Sequence, residues 1–249
     1  MLVRLMQQVV SWEAPVSPLE AGRDVAIAFS LGTGAHVGPK PRSFAPGRIH
    51  PGHSNEGLAH TILNLVQANP ALNVYVQWEI GDLITGFEYN SGRSYALKYP
   101  PLAVPSQSNP SLRVTYADIT GRNASEAIHK VYPKPGSYLS TGGVASGLGR
   151  YIMSLQDTVK RVYVVGHPDH KKRCRVETQR ALAYKKKELA HIDTVFPPTT
   201  YYPLWTQYGC DAWAYDHEST QSWTRTRGRF IPTEMRHKLG WVAYKDIKC

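Results

Sequence analysis

The stretch Arg161-Val-Tyr-Val-Val-Gly-His-Pro-Asp-His-Lys-Lys-Arg-Cys174 constrains the fold of this chain more than any other. A short β-branched and aromatic run ends in Gly166, and polar residues and a basic helix start follow at once. An apolar run without polar alternation reads as a strand buried on both faces, the habit of a parallel sheet covered by helices. Polar side chains just beyond such a strand emerge at the carboxyl edge of the sheet, where ligands of open α/β sheets bind.

The pattern recurs along the chain. Residues 24–30 read as a first buried strand, and Leu31-Gly-Thr-Gly34 as a tight turn. A long Gly-, Pro-, Arg- and His-rich loop then runs to His53, and loops of that length are often functional. Residues 54–68 predict a helix with Leu58, Ile62, Leu65 and Val66 on one face, Ser54 or Asn55 as its cap and Asn69-Pro70 as its stop. Residues 72–78 read as a second strand, and the proline-rich stretch to Pro110 as irregular chain. Residues 113–116 suggest a third strand. Asn123-Ala-Ser-Glu126 has capping-box spacing and predicts a helix from 124 to about 131, so its glycosylation-like sequon reads as a helix start. A Gly-interrupted helix over 142–155, a strand over 161–165, a helix from 169 to about 189 and a short strand over 194–196 complete the alternation. It predicts an α/β fold, Rossmann-like, with a mainly parallel sheet and helices on both faces. Residues 1–196 form that core in this reading. Residues 197–249, with Trp205, Trp213, Trp223 and Trp241, form an aromatic-rich extension packed on the core or over the site, with a short helix over 232–239 that has Pro232 at its first position.

With 249 residues, 42% of them hydrophobic, the chain can bury a sizeable core. Its formal charge of +10 points to phosphate-rich, nucleic-acid or anionic-surface partners. Ten Lys/Arg between Lys160 and Lys187 stand against Asp169 and Glu177, a local excess of +8 within one strand–helix unit. Cys174, Cys210 and Cys249 are odd in number and far apart, which argues against a disulfide framework. Residues 1–10 are too short and polar for a secretory segment, and no run approaches the ~20 apolar residues of a membrane span. A reduced, cytoplasmic setting is the expectation.

Candidate chemistry gathers at the expected carboxyl edge. His167, Asp169 and His170 follow the fourth strand, and the helix start beyond them offers free N–H groups and the charge of Arg173 to a phosphate or carboxylate. Asp169 reads equally as a helix cap. His167, His170 and Cys174 have ligand-like spacing. Yet His170 and Cys174 lie one helical turn apart and no second ligand pair stands nearby, so zinc is disfavoured and Cys174 reads as a small core residue. A second cluster, His50-Pro-Gly-His-Ser-Asn-Glu56, should reach the same edge. There Glu56 is a candidate base, and His53, Ser54 and Asn55 are candidate ligands for the substrate. Gly32 and Gly34 allow close approach of a phosphate without forming a GxGxxG fingerprint. Glu79 and Asp82, after the second strand, add a third polar group.

Taken together, the Gly-containing loop after the first strand, Ser54-Asn55-Glu56-Gly57 at a helix opening, Ser140-Thr141 before a later helix and His170-Lys171-Lys172-Arg173-Cys174 after a strand resemble the YdcF/SanA-like family (the ElyC/SanA/YdcF group). The resemblance covers roughly residues 24–196. It implies a Rossmann-like fold and a site at Glu56, His170 and Arg173. It also links the chain loosely to envelope-polysaccharide and lipid-carrier metabolism and to a nucleoside-type ligand. The family's Gly-Gly turn is replaced by Leu31-Gly32-Thr33-Gly34, and its Ser/Thr-rich element is not cleanly present near 138–150.

The leading expectation is therefore an enzyme, a hydrolase or transferase, acting on an anionic nucleotide- or phosphate-linked small molecule. Arg173 would hold the anion, His170 would serve as acid/base, and Glu56 would activate a nucleophile or orient a hydroxyl. No cofactor is required by the sequence, although a nucleotide-type ligand fits. The rivals are a nucleic-acid-binding protein using the basic helix over 171–187 with the tail aromatics, and a non-catalytic small-molecule sensor.

Overall fold

The computed structural model describes residues 19–20, 23–33, 49, 51–85, 115–134, 139–155, 158–185, 187–198 and 227–238. Gly34, His50, the proline-rich stretch to Arg113, and Trp205, Trp213, Trp223 and Trp241 lie outside them, as does the side chain of His53.

Five parallel strands form one sheet: β1 (Asp24–Ala28), β2 (Asn73–Gln77), β3 (Ile128–Val131), β4 (Arg161–Val165) and β5 (Asp193–Val195), in the order β3-β2-β1-β4-β5. Strand order runs outward from β1 to β3, then returns past β1 to β4 and β5. The reversal lies between β1 and β4, which pair from Asp24 with Arg161 to Ala28 with Val165. At such a switch point the flanking connections diverge, leaving a crevice outside the carboxyl ends.

Alternate strand residues feed two cores on opposite faces. Ala26, Ala28, Val74, Val76, Tyr163 and Val165 meet α1 (His53–Ala68), α2 (Trp78–Ile84) and α3 (Tyr116–Thr120). Val25, Ile27, Tyr75, Val162 and Val164 meet α5 (Thr141–Ser154) and α6 (Lys171–Lys185). Burial on both faces explains why β1 and β4 read as nearly continuous apolar runs. Each fully buried Val or Ile side chain contributes roughly 1.5–3 kcal/mol.

Several local expectations need correction. Tyr116 opens helix α3 instead of closing a strand. Thr115 and Asp118 form a capping box, with the Asp118 N–H donating to Thr115 Oγ1 at 3.3 Å and the Thr115 N–H to Asp118 Oδ2 at 2.7 Å. Reciprocal capping outweighs the weak β preference of Val114-Thr115-Tyr116. The helix predicted to reach 131 stops after one turn, α4 (Ala124–Ala127), capped by Asn123, and β3 follows directly. Ile128 and Val131 suit helical spacing, but pairing with β2 from Val74–Ile128 to Gln77–Val131 decides for strand. Trp78 belongs to α2, not to β2. The last described helix, α7 (Arg227–Lys238), starts five residues before Pro232 and so carries it internally. The helix predicted to reach 189 ends at Lys185, with a separate 3-10 turn over Lys187–Leu189. No helix among the described residues is long and apolar enough to cross a membrane.

Candidate functional site

Beyond β4 the chain folds back in a tight turn. The His170 and Lys171 N–H groups donate to the His167 carbonyl at 2.7 and 2.8 Å, and the Cys174 N–H donates to that of His170 at 3.2 Å, starting α6. The Asp169 N–H donates to His167 Nδ1 at 3.2 Å. A ring nitrogen that accepts cannot hold the proton, so the neutral His167 ring carries it on Nε2. His170 points instead toward α5. Its Nε2 shares a hydrogen bond of 3.1 Å with the hydroxyl of Thr141, the first residue of that helix, and both side chains are buried. Ser140 caps α5 by accepting from the Gly143 N–H at 3.0 Å.

Phe230 of α7 closes over both imidazoles. Its ring lies edge-on to His170 at 5.7 Å and tilted to His167 at 6.4 Å. The described part of the C-terminal region thus packs on the β4–α6 turn. Fully buried Lys171 sits beside these residues, its ammonium 4.8 Å from the centre of the Phe196 ring. Burial pushes its pKa down to about 8, and the neighbouring Lys172 charge adds to the shift. Sequence reasoning counted Lys171 only among the cations of the basic helix. Only its neighbours in space, above all the Phe196 ring, mark it as different.

The β1 side of the crevice is built around Asn55. Its Oδ1 accepts from the Leu31 N–H at 3.0 Å, while its Nδ2 donates to the carbonyls of Gly32 at 3.0 Å and Pro51 at 2.7 Å. Both amide hydrogens are committed, so Asn55 staples the β1 loop to the start of α1. The expected side-chain cap is absent there: Gly52 occupies the cap position and makes no side-chain hydrogen bond. Gly32 has φ 68°, a conformation that disfavours any Cβ-bearing residue. Ser54 and Glu56 are buried on the first turn of α1.

The third group follows β2. Glu79, on the first turn of α2, is 3% exposed, and its Oε2 has no hydrogen-bond partner among the described residues. Burial pushes its pKa up to about 8. Hydrogen bonds from its own backbone and the Ser30 side chain oppose the rise, and the Asp82 charge adds to it. Asp82 is not a solvated carboxylate. It is buried and receives Lys130 Nζ at 2.9 Å, while the same ammonium donates to Thr85 Oγ1 at 2.7 Å.

The structure thus brings Ser30, Gly32, Asn55 and Glu79 to the β1–β2 side of the edge, and His167, Asp169 and His170 to the β4 side, with Thr141 joining from α5. The two sides meet where the Phe29 N–H donates to the Val165 carbonyl at 3.0 Å. Arg173 is half-buried on the first turn of α6. Cys174 forms no disulfide among the described residues and lies fully buried in the core between sheet, α5 and α6. Among the described residues no group of three or more His, Cys, Asp or Glu side chains is placed to hold a metal ion. Chemically, the arrangement offers a hydroxyl–imidazole pair and a carboxyl poised near neutrality, both out of water, whereas the N–H groups at the α6 start, expected to be free, are taken by the His167 and His170 carbonyls. Comparison with known protein families, curated proteins and solved structures returned no match.

Proposed function

We propose that this chain is an enzyme with a Rossmann-like core that performs acid/base-assisted hydrolysis or group transfer on an anionic, nucleotide- or phosphate-linked small molecule. The observation that carries the reading is the buried His170–Thr141 pair beside the switch point. A hydroxyl within hydrogen-bond reach of an imidazole is the arrangement that nucleophile activation and proton transfer both need. The strand order 3-2-1-4-5 supports the Rossmann-like reading. The YdcF/SanA-like resemblance would assign the site to Glu56, on the first turn of α1, and to His170 and Arg173, around the start of α6.

In this mechanism Arg173 holds the anion, because the N–H groups at the α6 start are already committed to the His167 and His170 carbonyls. His170 moves the proton, with Thr141 as its partner or as the attacking hydroxyl. Glu79, with a pKa of about 8, is a second proton carrier at neutral pH, and Glu56 orients a substrate hydroxyl. The nucleic-acid reading loses part of its charge because Lys171 and Arg175 of the basic helix lie over Phe196 and Arg180 is paired with Glu177 at the surface.

The test is turnover of a panel of phosphate esters and nucleotides, followed by phosphorus NMR. The reading expects hydrolysis or transfer that falls by about 10²–10⁴-fold in His170→Ala with the fold intact. Turnover that survives His170→Ala would reject the assignment. Absence of turnover across the panel, with a ligand copurifying unchanged, would establish the sensor alternative instead.

A further inference from the structure

Three successive backbone N–H groups just beyond β1 are held by three different elements. The Phe29 N–H donates to the Val165 carbonyl of β4, the Ser30 N–H to Gln77 Oε1 at the end of β2, and the Leu31 N–H to Asn55 Oδ1 of α1, each at 3.0 Å. Backbone pinned at three consecutive residues delivers the Ser30 side chain to one place. That place is the switch point, because β1 lies between β2 and β4. Phe29 and Leu31 are apolar and buried. Ser30 between them is polar and half-buried, so it keeps access to the crevice.

Behind Ser30 stands the buried Glu79 of α2, and the Ser30 hydroxyl is hydrogen-bonded to its carboxyl. A hydroxyl has one proton to give. Beside an ionised carboxylate it gives that proton inward and turns only lone pairs to the crevice. Beside a carboxylic acid the bond reverses: the acid donates, and the hydroxyl proton is free to point outward. Burial decides between the two states, since it raises the Glu79 pKa to about 8 and leaves the acid dominant at pH 7.

We infer that Ser30 is an anion contact on the β1 side of the crevice, its hydroxyl proton turned toward an oxygen of the bound phosphate by protonated Glu79. The inference rests on the reading of the carboxyl edge as a site for a phosphate-bearing ligand, with Arg173 as the cation that holds it. Ser30 then adds a charge-assisted hydrogen bond whose direction depends on a proton the ligand does not carry.

Other groups around Glu79 titrate or carry charge. Asp82, on the same helix, is answered by Lys130 of β3. Helix α1, packed against α2, brings Glu56 and His60, and Lys171 on the β4 side also titrates near 8. Their influence cancels when variants are compared at one pH.

The test is NMR titration of the full chain with dimethyl phosphate and with inorganic sulfate, anions of constant charge. It is run at about 1.5 pH units below and above the Glu79 value of about 8. On the acid side Ser30→Ala should weaken binding by about tenfold, and Ser30→Thr, which keeps the hydroxyl, should retain most of the affinity. On the alkaline side the cost of Ser30→Ala should shrink below about twofold, because the hydroxyl proton then faces Glu79. In Glu79→Gln the side-chain amide donates at either pH, so the same substitution should cost about tenfold at both. Arg173→Met should weaken binding throughout. Binding that depends on Arg173 but is indifferent to Ser30→Ala, or that loses equally at both pH values with Glu79 in place, overturns this inference alone. Failure of both anions to bind the wild type overturns the anion reading along with it.

Discussion

The starts of α1 and α6 face the same switch point, yet they are built from opposite materials. At α1 a neutral amide, Asn55, ties Leu31, Gly32 and Pro51 together and has no protonation state to change. At α6 two imidazoles and an ammonium are buried beneath Phe230 and Phe196, where a change of charge is expensive and neighbours control it. One rim of the crevice is scaffold, and the other holds groups able to move protons. Glu79, on the scaffold side, is the exception that carries titration across.

The largest test of this contrast is Asn55→Ala. It orphans one buried donor and two acceptors and leaves a small void, so urea unfolding should show a loss of about 3 kcal/mol or more, nearly independent of pH. A loss below about 1 kcal/mol would mean that Asn55 is not the staple.

Glu79→Gln probes the exception. The carboxyl rises from an ordinary 4.5 to about 8 on folding, so between those values the folded protein holds a proton that the unfolded chain has released. Its contribution is fully present below pH 4.5 and is lost as pH rises through 8. The glutamine variant should flatten the stability profile over that window and exceed the wild type above it, by an amount on the order of a few kcal/mol.

Lys171 runs the other way. Its pKa falls from 10.5 to about 8, so wild-type stability should climb between those pH values. Lys171→Met should remove the climb and stabilise the protein by about 1–2 kcal/mol below pH 8, the lost contact with Phe196 offsetting part of the gain. The smallest effect belongs to Thr141→Val. It costs about 1 kcal/mol, with a displaced His170 ring resonance in nitrogen NMR as the specific signature.

Much of this architecture is legible in the sequence because burial on both faces leaves an unmistakable mark. Val25 to Ala28 and Val162 to Val165 are apolar at every position, and the polar residues after them had to emerge at the carboxyl edge. The misread segments are those where local and long-range preferences disagree. Val114-Thr115-Tyr116 looks like a strand, yet the contacts between Thr115 and Asp118 make a helix start. His129 and Lys130 look like helix surface, yet pairing with β2 makes them strand.

The site divides in the same way. Sequence brought His167, Asp169, His170, Glu56 and Glu79 to one edge, since strand ends and helix starts are local events. It offered no route to the partnership of His170 with Thr141, 29 residues earlier, or to Phe230 as their cover, because those contacts depend on how helices dock. What the residues alone determined is the alternation of strand and helix, written in burial periodicity. What only the tertiary structure decided is which polar groups share a hydrogen bond and which helices dock on which face of the sheet. Those depend on packing between segments far apart in the chain, where no local preference reaches.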